Sequence, residues 1–100
     1  MTVVLLINST RSVPIAPESV FTQYWQRGCS ELGLRWVPWF QPGIEISQQD
    51  LPAVLEELSR LQVWAKSPDS AIPAYVLQRI ENLISELEQL RGSTAKIWIG

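Results

Sequence analysis

IEISQQDLPAVLEELSRLQVWAK, residues 44–66, joins a short alternating run to the most regular amphipathic pattern in the chain. Leu51, Val54, Leu55, Leu58, Leu61 and Trp64 recur three or four residues apart, the spacing that lines one face of an α-helix and turns it towards a core. Glu56, Glu57, Ser59, Arg60 and Gln62 fall mostly on the other side, with Glu56 four residues before Arg60, the favourable order for an ion pair along a helix. That side is expected to be solvated, so Glu57→Ala should change stability by no more than about 0.5 kcal/mol. Ser47 and Asp50 are rival caps, Pro52 suits a first turn, and a short turn at Gln48 and Gln49 accommodates both. Ile44-Glu45-Ile46 alternates as a short strand.

Working outward, the N-terminal run Val3-Val4-Leu5-Leu6-Ile7 is continuously apolar, the pattern of a central strand covered on both faces. Residues 8–17 carry Ser, Thr, Pro14 and Pro17 and read as a mobile loop with Arg11 exposed. Pro17 and Glu18 suit a helix start, and Val20, Phe21, Tyr24, Trp25, Cys29 and Leu32 form its stripe up to Gly33. Gly28 inside that helix marks either a weak point or a close packing contact. Residues 34–40 are rich in aromatics and interrupted by Arg35 and Pro38, which reads as an edge or bulged strand. With the turn Gln41-Pro42-Gly43 they would form a hairpin with residues 44–46. Downstream of Lys66, Ser67-Pro68-Asp69-Ser70 separates two antiparallel helices. Val76, Ile80, Leu83, Ile84, Leu87 and Leu90 stripe the second, and Gly92 ends it. Ala95 to Ile99 alternates as a closing half-buried strand.

The resulting class is α+β. It is one domain over residues 1–100, with a three- to four-stranded mixed sheet and three helices in the order β-α-β-β-α-α-β. One hundred residues with 46% apolar content support one core and leave no room for two. Met1 is taken as an initiator, so the expectation is of a complete small protein. The first apolar run is too short for a signal peptide or membrane span. A single cysteine fits a reducing cytoplasm. Eight basic and ten acidic side chains give a net charge of −2, which argues against a polyanionic partner.

Chemistry is narrowed chiefly by composition. With no histidine, Ser-His and Cys-His nucleophiles, imidazole metal sites and the usual proton shuttle are excluded. Cys29 lies on an apolar stripe and reads as a buried small hydrophobe. Glu56, Glu57, Glu86 and Glu88 sit in charged helix stripes, where acid–base work would need a cleft that the spacing does not imply. No glycine-rich phosphate loop is present. Neither a catalytic residue, a metal site nor a cofactor is expected.

Five tryptophans are the most unusual compositional feature, and Trp36-Val37-Pro38-Trp39-Phe40 places three large aromatics in five residues. In an extended segment Trp36 and Phe40 share one face and Trp39 the other. Core packing and an interface both remain open for them, since tryptophan is enriched where proteins meet. Trp36, Trp39, Phe40, Glu56 and Glu57 are therefore the candidate protein interface.

From residue 44 to residue 64 the order of an apolar-acid-apolar strand followed by SQQDLPAVLEELSRL resembles small bacterial immunity-type proteins that neutralise polymorphic toxins. In those, a strand leads through a serine and an acidic residue into a leucine-rich helix, followed by a second helix and a terminal strand. The likeness extends to residue 99, leaves out the Trp-rich segment and carries no binding residue with it. It implies a protein that binds a partner enzyme and blocks its active site. Two other readings stay open: a structural or regulatory homo-oligomer pairing through its aromatic edge, and a small enzyme working with carboxylates alone. The expected partner is a protein or a second copy, with neither nucleic acid nor membrane.

Overall fold

A computed structural model describes all residues, Met1–Gly100. Four strands, β1 (Thr2–Ile7), β2 (Arg11–Pro17), β3 (Ile44–Ile46) and β4 (Ile97–Ile99), form one sheet in the order β2-β1-β4-β3. The α+β class holds, and β1 is central as its apolar run implies. Every neighbouring pair is antiparallel, so the sheet is not mixed. Nor are both faces of β1 covered. Val3, Leu5 and Ile7 are buried, while Val4 and Leu6 on the opposite face are only half-buried.

The element order is β-β-α-β-α-α-β, because a strand lies where a loop was expected. Residues 8–17 fold back on β1 as a hairpin. Asn8 and Ser9 take φ of 55° and 59°, the pair of positive values that tight type I′ turns require, and the Thr10 amide donates to the Ile7 carbonyl at 3.1 Å. Asn is among the few residues that visit that conformation readily, and here the turn is also tied to the far end of the chain, since Asn8 Oδ1 accepts from the Lys96 amide at 2.9 Å. Pro14 and Pro17 are accommodated because β2 is an edge strand, and Ile15 bulges out of register between Ala16 and Pro14. The same prolines blunt that edge against further pairing.

Helix α1 runs over residues 18–32, with a π-helical turn at Phe21–Trp25 between α-helical Glu18–Val20 and Gln26–Leu32. It ends at Gly33 in the left-handed conformation, with the Leu34 amide returning to the Cys29 carbonyl at 3.0 Å. Helices α2 (Leu51–Lys66) and α3 (Ala74–Gln89) pack antiparallel. Gln48, in the turn before α2, fastens their adjacent ends: its amide nitrogen donates to the Leu90 carbonyl and its oxygen accepts from the Gly92 amide, each at 2.9 Å. At the other end Gln62 donates to Glu81 at 2.9 Å. Pro73 stands at the cap of α3, just outside its first turn.

All 24 buried apolar residues join in one cluster between the sheet and the helices, as a single core requires. Helices α1 and α2 pack together at Gly28, where an added Cβ would stand 2.5 Å from Leu61 Cδ1 and 2.8 Å from the Trp64 ring. The interior glycine is therefore a packing requirement. Gly28→Ala is expected to destabilise the protein by about 1–2 kcal/mol, because overpacking outweighs the roughly 1 kcal/mol gained in helix propensity. An unchanged or raised urea midpoint would show that Leu61 and Trp64 can move aside.

Candidate functional site

Residues 34–40 do not form a strand and make no hairpin with β3; Val37–Phe40 is a 3-10 turn. Pro38 fits early in such a turn, where it sacrifices no hydrogen bond. The decisive contact is Glu57 of α2. Its Oε2 accepts from the Arg35 amide at 2.9 Å, and its Oε1 accepts from the Trp36 amide at 2.8 Å and the Val37 amide at 3.2 Å. Three consecutive backbone donors, of which an edge strand would have paired only alternate ones, are held together by one carboxylate.

Glu57 is consequently 8% exposed, inside the protein and not on the solvated side of α2. It anchors the segment and is unavailable to a partner. Phe40 is also removed from the candidate interface, being fully buried in the core beside Val37. A 3-10 turn aims residues three apart in one direction, so Val37 and Phe40 point inward together and the extended-strand alternation is lost. Trp36 is half-buried against the core, and Trp39 stands 57% exposed. Trp36 and Trp39, with Arg35 and Ile44, line a shallow hollow of about 320 Å³.

Glu56 is exposed, but its expected ion pair with Arg60 is absent. Arg60 instead donates to the Leu32 carbonyl at 2.8 Å, satisfying the C-terminal end of α1. Leu32, Glu56, Arg60, Val63 and Trp64 border a wide groove of about 540 Å³ between α1 and α2. Val63, 70% exposed, lies outside the apolar stripe that ends at Trp64. Trp64 is half-buried and packed between Gly28 and the guanidinium of Arg27, whose Cζ is 5.5 Å from the ring centroid. Arg27 is fixed in turn by a hydrogen bond to the Ser70 carbonyl.

The chemistry within reach of these surfaces is limited. No three His, Cys, Asp or Glu side chains converge as metal ligands. Cys29 is buried as expected, and burial, followed by the negative charge of Glu57, pushes its thiol up to about 12. The ordinary value for such a thiol, which the unfolded chain keeps, is 9.0. Between that value and about 12 the unfolded state therefore loses a proton that the folded state keeps, and stability should fall as pH rises through that window. Denaturant midpoints that decline across the window in wild type and flatten in Cys29→Ala would bear this out; parallel declines would refute it.

Compared with protein-family models, curated proteins and solved structures, the chain matches none. No helix is long and apolar enough to cross a membrane.

Proposed function

We propose that this protein is a non-enzymatic protein-interaction module of the immunity type, which binds a partner enzyme and blocks its active site. The observation that carries the reading is Trp39, a large aromatic side chain exposed on a turn whose backbone is tied down at three amides by Glu57. An anchor held in place before binding loses little conformational freedom on association, and tryptophan is the residue most enriched among binding hot spots. Trp36 and Ile44 extend the apolar surface around it. Glu56, exposed and free of any ion pair, adds a negative charge on the exposed side of α2. A cytoplasmic setting accords with Cys29 remaining a free thiol.

Because Trp39 contributes little to the core, Trp39→Ala is expected to alter stability by no more than about 1 kcal/mol while abolishing partner capture. The test is affinity capture from extract of the source organism with both proteins, alongside circular dichroism. Recovery of the same partner by wild type and a folded Trp39→Ala variant would exclude this surface.

A further inference from the structure

The outer face of the sheet, opposite the helices, carries a second aromatic surface. Trp98 alternates with buried Ile97 and Ile99 and is 42% exposed on that face, opposite Leu6 on one side and Glu45 on the other. Its ring packs against Gly43 and Gly100: a Cβ on Gly43 would come 2.5 Å from the six-membered ring, and one on Gly100 would come 2.8 Å from Nε1. The indole is thereby held in a fixed orientation. Around it lie Leu6, Ser9, Glu45 and Lys96, bordering a hollow of about 220 Å³. Glu45 and Lys96 are both exposed and carry opposite charges, and neither enters an ion pair within the chain.

We propose that this face is a self-association surface whose occupant is the same face of a second copy. The argument is charge complementarity joined to register. Glu45 is one strand across from Trp98, and Lys96 lies two residues before Trp98, just ahead of β4, where its carbonyl accepts from the Asn8 amide at 2.9 Å and keeps it in line with the strand. On an ideal sheet lattice, with strands about 4.8 Å apart and alternate residues about 6.8 Å apart, the line equidistant from Glu45 and Lys96 passes within about 2 Å of both Trp98 and Leu6. A two-fold axis along that line, lying between two stacked sheets, brings each Lys96 to the partner copy's Glu45. It also stacks the two Trp98 rings and the two Leu6 side chains near the axis. One operation satisfies both charges and covers the apolar centre, as a two-fold interface requires. A partner of uniform charge would leave one of the two ions opposed.

The face is small, about 20 Å by 20 Å, or roughly half the 800 Å² per partner of a standard interface. The dimer is therefore weak and reversible, forming between micromolar and millimolar concentration. This assignment is independent of the Trp39 surface.

Sedimentation equilibrium of the full chain across that concentration range tests it. Wild type should show a monomer–dimer equilibrium that Lys96→Glu weakens roughly tenfold or more, since it sets two like-charge pairs at the interface in place of two opposite ones. The swap Lys96→Glu with Glu45→Lys should restore dimerisation, and Trp39→Ala should leave it unchanged. Because the swap keeps Trp98 and the glycines beneath it, its outcome does not depend on a variant that unfolds. A monomer at every concentration overturns the proposal. So does a dimer that ignores the single reversal, is not restored by the swap, or is lost on Trp39→Ala.

Discussion

Glu57→Ala is expected to cost about 3 kcal/mol of stability, against the near-neutral effect that its place on the helix stripe suggests. Hydrogen bonds to a charged group are worth about 1.5–3 kcal/mol each, and Glu57 accepts three. The total is less than their sum because the Arg35 and Trp36 amides are only partly buried, and water can reach them once the carboxylate is gone. The Val37 amide is buried and would stay unpaired. Alanine also removes the contact that selects a 3-10 turn over an extended segment, so hydrogen exchange should accelerate first at residues 35–37 and only later in the core. Glu57→Gln keeps one acceptor oxygen but turns a donor towards the amides that Oε2 or Oε1 had served, which places it between wild type and Glu57→Ala. A Glu57→Ala midpoint equal to wild type in urea would show that the three amides have other partners.

Glu57 also marks where the sequence stops being informative. Periodicity assigns a residue to a face of its own helix, and by that measure Glu57 stands beside Glu56 on the charged side. What buries one and not the other is the loop at residues 34–40, which crosses α2 at Glu57 and brings three amides without partners. That crossing is a tertiary event with no local pattern. For the same reason residues 35–40 read as a strand: aromatic residues favour strands because they fit a pleated, half-buried surface, and here a carboxylate supplies what a neighbouring strand would have supplied.

The elements with strong local signals were legible. The stripe of α2 from Leu51 to Leu61 is buried, the stripe of α3 is buried at Val76, Ile80, Leu83 and Leu87, and Gly33 caps α1 at positive φ; α3 stops earlier than its glycine suggests, at Gln89 with Leu90 as its cap, and Gly92 takes its positive φ two residues further on. The hairpin at residues 8–17 is not legible in the sequence because its turn uses Asn8 and Ser9 in place of the more recognisable Asn-Gly pair, and because two prolines argue against a strand unless it is known to be an edge. Of the five candidate interface residues, Trp36, Trp39 and Glu56 remain at the surface, while Phe40 and Glu57 are interior. Trp98 and Val63 have a sequence signal: each falls off an apolar pattern whose other members face the core.

The other large effect is expected at Trp25, and it separates two contributions that a single deletion would merge. Trp25 is buried at the end of the π-helical turn and stacks on Phe21, with centroids 5.4 Å apart and planes 16° from parallel. Trp25→Ala should cost about 4 kcal/mol, in the range for removing a large buried aromatic and leaving a cavity. Yet the Trp25 Nε1–H, itself buried, has no hydrogen-bond partner, and an unpaired buried donor costs about 1–3 kcal/mol. Trp25→Phe removes that donor while keeping a ring against Phe21. Its smaller cavity is worth roughly 1 kcal/mol, so the two effects should nearly cancel and leave the variant within about 1 kcal/mol of wild type. If Trp25→Phe proves almost as damaging as Trp25→Ala, the indole nitrogen must be satisfied in solution by a buried water, and the stabilisation at this position would lie in the polar contact more than in the stacked pair.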